Sequence, residues 1–183
     1  MRVLCESHPA LASHDAGMAA AGERVVVVDW DAHHGNGTED AFWNDPRVLY
    51  VSMHQWPLYP GTGRLTETGE GRGAGLTVNL PLPPGATGDV YRAAFDEVVA
   101  PVAAAFDPGR VLVSAGFDAH RACPLTNLGW SAGDYADLGR RSVALAPRGR
   151  CVGALAGVGH RPEPATTGGP GHEVAAAAAR LRA

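Results

Sequence analysis

Apolar residues in this chain fall into short blocks separated by Gly- and Pro-rich polar stretches. Val25-Val26-Val27-Val28 is unbroken, which reads as a strand buried on both faces, the kind found inside a parallel sheet. The pattern predicts strands at 25–30, 48–52, 111–115 and 151–155, with a shorter extended piece at 76–80. Helical periodicity predicts helices at about 10–22, 38–43, 88–105 and 131–145. In the third helix Val90, Ala94, Val98, Val102 and Phe106 recur at every fourth position, which predicts the buried face. Ser131 suits the N-cap of the fourth, with Asp134 at its third position. Strands alternating with helices predict an α/β fold, a parallel sheet flanked by helices in one layered unit without internal repeats. Residues 53–75 read as a long Gly/Thr/Pro loop, functional because His54, Trp56 and Tyr59 follow a strand end directly. The stretch 157–171 is a Gly/Pro/Thr tail, and the Ala-rich 173–182 segment could form a short helix.

The polar residues that matter stand at the strand ends. After the valines comes Asp29-Trp30-Asp31-Ala32-His33-His34-Gly35-Asn36-Gly37. Open α/β sheets place ligands at the carboxyl ends of their strands. Asp31 and His33 are two apart, so an extended backbone would point them the same way. Val111-Leu112-Val113-Ser114-Ala115 is followed by Gly116-Phe117-Asp118-Ala119-His120, again with an Asp just past a strand. If the two strands are neighbours, Asp118 joins Asp31 and His33. Two carboxylates and one imidazole with open positions suit catalytic zinc, with iron or cobalt as alternatives. A lone Asp there would more often be a helix cap or a loop carboxylate; the paired clusters favour a metal.

Composition removes several alternatives. The chain has 183 residues and a net charge of −4, with its 15 basic residues all Arg and scattered. No basic face is readable, so nucleic acid is not an expected partner. The absence of Lys excludes a Schiff base. Lys and Ile are missing and Ala, Gly and Pro abundant, as a GC-rich coding sequence would give. Cys5, Cys123 and Cys151 lack metal-like spacing, and an odd number does not suit a disulfide scaffold. No signal peptide or run of 18 apolar residues is readable, so no membrane partner is expected and the expected location is cytoplasmic.

The segments Asp29-Trp-Asp-Ala-His-His-Gly-Asn-Gly-Thr38, Val51-Ser52-Met53-His54, Tyr59-Pro-Gly-Thr-Gly63 and Ser114-Ala-Gly-Phe-Asp-Ala-His120 resemble the zinc-dependent histone deacetylase superfamily. The resemblance is to its class II branch and to bacterial histone deacetylase-like and acetylpolyamine amidohydrolases, with Asn36 where class I members carry Asp. It runs from about Ala20 to about Leu155 and implies part of the arginase/deacetylase fold. On that pattern, residues 1–24 are a divergent N-terminal segment, 25–156 the central part of the domain, and 157–183 a divergent tail. The resemblance implies one Zn²⁺ on Asp31, His33 and Asp118, polarising an amide carbonyl and activating water. It implies a structural K⁺ held by Asp29 and Ser52 with carbonyls of Asp31, His33 and Met53. A second K⁺ site would use carbonyls near Phe42, Asp45 and Val48. Tyr59 would wall an apolar tunnel for an acylated amine, or simply pack within its Pro/Gly loop. The implied partners are an acetylated lysine side chain or an acetylated polyamine.

The chain departs from that family in three places. The tandem His that supplies the general base is not visible in residues 1–24; His8 and His14 are isolated there. Asn36, which would orient the second of those histidines, would then orient nothing. No Gly-Gly-Tyr follows the strand at 151–155, and the last tyrosine is Tyr135. Cys123 stands before Pro124, where the family carries Asp. The expectation is a truncated deacetylase-like chain that binds metal with impaired or no hydrolysis as written, its open sheet edge favouring a homo-oligomer. A non-catalytic metal-binding remnant is the alternative. An arginase-like ureohydrolase is the weaker one, because position 35 is Gly and Asp118 lacks the extra Asp of a dinuclear manganese site.

Overall fold

The computed structural model describes residues 22–146 and the backbone of 151–156. The expected helices at 10–22 and 173–182, the 157–171 tail, and His8, His14 and Cys5 fall outside the described residues, apart from position 22. Five strands form one parallel sheet in the order β3-β2-β1-β4-β5. They are β1 (Val25–Asp29), β2 (Val48–Gln55), β3 (Thr77–Leu82), β4 (Arg110–Ala115) and β5 (Cys151–Ala156). The helices are α1 (Asn36–Phe42), α2 (Gly88–Ala94), α3 (Ala100–Phe106) and α4 (Ala132–Ala144). No described helix is long and apolar enough to cross a membrane.

The valine run explains the centre of the sheet. β1 is flanked by β2 and β4, and all five of its residues are buried. Alternate valines serve opposite faces. Val26 and Val28 join the large core with Leu49, Val51, Val111 and Val113, covered by α2, α3 and α4. Val25 and Val27 join a smaller core with Val48, Tyr50, Leu112 and Phe42 of α1. The chain runs outward from β1 through β2 to β3, then crosses back to β4 on the other side. The order therefore reverses between β1 and β4, and such a switch point opens a crevice at the carboxyl ends of the strands.

The long helical segment keeps Phe106 of the expected face and corrects the rest. Its buried row is Tyr91, Phe95, Val99, Ala103 and Phe106, whereas Val90 is 38% exposed. An ideal helix turns 100° per residue, so a spacing of four drifts by about 40° at each step. The structure absorbs that drift in a π-helical turn, Phe95–Val99, between α2 and α3. Tyr91 and Phe95 fill the core beside Trp130, with the Tyr91 and Trp130 ring centres 4.0 Å apart, edge to face. Smaller corrections follow from pairing. β2 continues to Gln55 because β3 pairs with it to the end, and a short 3₁₀ turn, Gly71–Gly73, interrupts the expected loop. At α4 the expected cap is present and reciprocal: Asp134 N–H donates to Ser131 Oγ, and Ser131 N–H donates to the Asp134 carboxylate at 2.8 Å. Arg92 pairs with Asp134 and Arg141 with Asp96, tying the α2–α3 rod to α4.

Candidate metal centre

β1 ends at Asp29, and the chain bends at Ala32 and His33. Asp31 and His33 therefore do not lie on an extended backbone as expected. The bend brings them together instead: Asp31 Oδ1 accepts from the His33 backbone N–H at 2.8 Å and lies 3.2 Å from His33 Nδ1. Asp118 arrives from the end of β4, which pairs with β1 in register, Asp29 opposite Ser114. Its Oδ1 accepts from the Ala32 N–H at 2.9 Å, and its Oδ2 lies 2.6 Å from His33 Nδ1. Thr126 Oγ1 donates to the Asp118 carbonyl at 2.7 Å, fixing the turn from the far side. Gly116 permits the approach, since a Cβ there would collide with the Asp31 carboxylate.

The three ligand atoms of Asp31, His33 and Asp118 lie within 4.8 Å of one another, so this group could hold a metal ion. Its electrostatics are those of anions awaiting a cation. Burial pushes Asp31 above the usual carboxylate range. Asp118 is buried too, but hydrogen bonds from His33 and the Ala32 N–H hold its carboxyl low. The same two carboxylates, Asp118 first, raise His33 to about 10. A proton on His33 thus answers charge that a divalent ion would answer better. Two oxygens and one ring nitrogen, with His33 about a quarter exposed, are a metal-type donor set open to further ligands.

The other residues named from the sequence surround this group. Asp29 is buried and pairs in register with Ser52 on β2. Its carboxylate accepts from the Asp31 N–H at 3.1 Å and from the Tyr50 hydroxyl at 3.3 Å. Burial, and then the charge of Asp31, push it up to about 8. Met53 is buried within β2 beside Ser52. Asn36 opens α1, buried, its N–H donating to the His34 carbonyl at 2.9 Å. Phe42, Asp45 and Val48 lie along the turn from α1 into β2, where the Phe42 and Asp45 carbonyls accept from the Asp45 and Val48 N–H groups. Tyr59 is 51% exposed on its loop. Leu125, next to the Thr126 that braces Asp118, is 42% exposed and adds apolar surface that the sequence did not mark.

A second polar cluster includes His54, read from the sequence as a loop residue just past a strand end but placed by the structure inside β2, where pairing with β3 extends the strand. His34, adjacent to His33, is fully buried; its ring nitrogens lie 2.8 Å from Thr62 Oγ1 and 3.2 Å from Glu39 Oε2. Asn79 donates to the same Glu39 oxygen at 2.6 Å. His54 is buried against Ser52 Oγ at 2.9 Å and the Gly63 carbonyl at 2.9 Å. Burial, then the neighbouring His34, pull His54 down to about 4, so it is neutral. The signal available was two histidines at the ends of buried strands, but their partners come from distant segments.

Comparison with known proteins agrees with the geometry. The family model described as "Histone deacetylase domain" matches residues 7–167. A probable deacetylase of Archaeoglobus fulgidus is 49% identical over 138 residues, 74% of this chain and 38% of its own length. The chloroplastic histone deacetylase 14 of Arabidopsis thaliana is 44% identical over 152 residues, 81% of this chain and 36% of its own. The crystal structure of the HDA15 HD domain superposes with a TM-score of 0.75 at 37% identity, covering 83% of this chain and 44% of that one. The chain thus spans well under half the length of these relatives. With the parallel sheet, the switch-point crevice and the matched span in agreement, this chain belongs to the histone deacetylase family and carries part of its fold.

Proposed function

We propose that this chain carries the metal-binding core of a zinc-dependent, deacetylase-like amidohydrolase, class II-like, whose substrate is an acetylated lysine side chain or an acetylated polyamine. The observation that carries the reading is the convergence of Asp31 and His33 from one strand end with Asp118 from the next. These three residues would hold the ion. When bound, zinc supplies a Lewis acid for the amide carbonyl and lowers the pKa of water. The protein's own part is to hold the ligands in place: the Ala32 N–H orients Asp118, and the His33 N–H orients Asp31. Asp29 and Ser52, with carbonyls of Asp31, His33 and Met53, would hold a potassium ion. Carbonyls of Phe42, Asp45 and Val48 would hold a second. Tyr59 would flank the acyl chain.

The sequence has one adjacent His pair, at 33 and 34, and neither member is free to act as a base. His33 belongs to the metal group, and both ring nitrogens of His34 are engaged. His33 and His34 therefore do not stand in for the tandem pair that the deacetylase pattern implies. The 183-residue polypeptide should therefore bind metal and hydrolyse little, since a missing base costs about 10²–10⁴ in rate. Elemental analysis of the wild-type chain and His33→Ala tests the metal; about one zinc per chain is expected in the first. Equal metal in both removes His33 from the site. Turnover of an acetyl-lysine peptide tests the chemistry. A rate well above free zinc that disappears in His33→Ala would show that another residue supplies the base.

A further inference from the structure

The loop at 58–67 carries Tyr59, and two of its large apolar side chains face outward. Tyr59 is 51% exposed and Leu65 is 65% exposed. What binds the loop to the sheet is polar and buried. The Gly63 carbonyl can only accept, so His54 Nε2 carries the proton and donates to it, leaving Nδ1 to accept from the Ser52 hydroxyl. Glu39 Oε2 accepts from the Asn79 amide at 2.6 Å and lies 3.2 Å from His34 Nε2, while His34 Nδ1 lies 2.8 Å from Thr62 Oγ1. The rings stand 4.8 Å apart, and Gly63 rests on both of them. A Cβ at Gly63 would lie 2.5 Å from His54 Nε2 and 2.6 Å from His34 Cδ2, and its φ of +88° is one that only glycine adopts easily. Asn79 reaches the far end of the loop as well, donating to the Glu67 carbonyl at 3.2 Å. Glu67 in turn latches the loop by accepting from the Gly63 and Arg64 N–H groups, both at 2.7 Å.

We propose that His34 and His54 are positioning residues, a pair of buried imidazoles that seat the 58–67 loop, and with it Tyr59, on the strand ends next to the metal group. Thr62 bonds to the residue that directly follows His33, so the loop and the metal ligand share one rigid mount. The strut stands on these contacts alone; the role of Tyr59 toward an acyl substrate rests on the deacetylase-like reading.

Thr62 is half-buried, so its variants test the contact without unfolding the core. Hydrogen exchange of the full 183-residue chain should show amides 61–67 of Thr62→Val exchanging about tenfold faster than wild type, because the His34 ring loses its hydroxyl partner. Thr62→Ser should restore the wild-type rate, and Gly63→Ala should behave like Thr62→Val. The amides of β1 and β4 and the zinc content should not change. A Thr62→Val loop at the wild-type rate, a Thr62→Ser loop as loose as Thr62→Val, or loosening spread equally into β1 and β4 overturns the strut. A fluorescein-labelled alkyl hydroxamate, read by anisotropy on the zinc-loaded chain, tests its purpose. Weaker binding in Thr62→Val at equal zinc, recovered in Thr62→Ser, supports the positioning of Tyr59; equal affinity in all three overturns it. A wild-type chain that takes zinc but no hydroxamate sinks the deacetylase-like reading, while the exchange rates still decide the strut.

Discussion

His33 and His34 are adjacent in sequence, and each faces carboxylate oxygen, yet their surroundings have opposite characters. His33 sits between Asp31 and Asp118, partly exposed, its proton shared by two acids that burial would rather neutralise. His34 is sealed from water, and each ring nitrogen has one protein partner. The first cluster is open on one side; the second is closed, and both nitrogens of its His34 ring are engaged. Residue type does not separate a ligand site from a scaffold here. What separates them is whether other protein groups occupy both nitrogens of the ring and shut it from water.

That contrast can be broken by substitution. His34→Leu should have the largest effect, lowering stability by about 3 kcal/mol, because the buried Glu39 loses a donor and Thr62 an acceptor. Urea denaturation should show this loss equally with and without zinc. His33→Ala should matter mainly through the metal. Zinc at a hundredfold excess over its Kd should stabilise the wild-type chain by about 2.7 kcal/mol and His33→Ala not at all. A zinc-dependent shift in His34→Leu that vanishes along with its stability would merge the two clusters into one. Ser131→Ala, at the α4 cap, where Ser131 bonds with Asp134 and with neither cluster, should cost about 1 kcal/mol and add to the His34→Leu loss. The smallest effect concerns pH. Burial tends to raise Asp134, but its bonds with Ser131 and its pairing with Arg92 outweigh that and hold its carboxyl below the usual range. Its contribution is therefore present above the unfolded pKa of about 3.9 and lost as pH falls through the lower folded value. The gap between wild type and Ser131→Ala should hold steady at neutral pH and close in that acid window, as followed by far-UV circular dichroism.

The metal group was legible because its chemistry is local to two strand ends. Asp31 and His33 need only the turn after the valines, and Asp118 needs only that β4 lie beside β1. The sheet was legible for the same reason: runs such as Val25–Asp29 admit little besides a central strand. The strut was not legible. Thr62 lies 28 residues from His34, and Asn79 lies 40 from Glu39, so nothing near either histidine names its partner. The face of the α2–α3 rod was misplaced by one position because two rows repeat every fourth residue side by side. Volume decides between them: the row with Tyr91 and Phe95 fills the core, and the row with Val90 does not. A π-helical turn is invisible to a search that assumes constant pitch.

The switch point between β1 and β4 also orders events in time. Ala32 and Asp118, 86 residues apart, must meet before the third ligand joins the first two. The span between them contains β2, β3 and the α2–α3 rod, so this pairing closes a very long loop and is among the slowest contacts to form. A metal captured here can only be captured late in folding. Its arrival is then a clock for the last long-range docking step, and stopped-flow uptake of zinc during refolding would read the formation of the central strand pair directly.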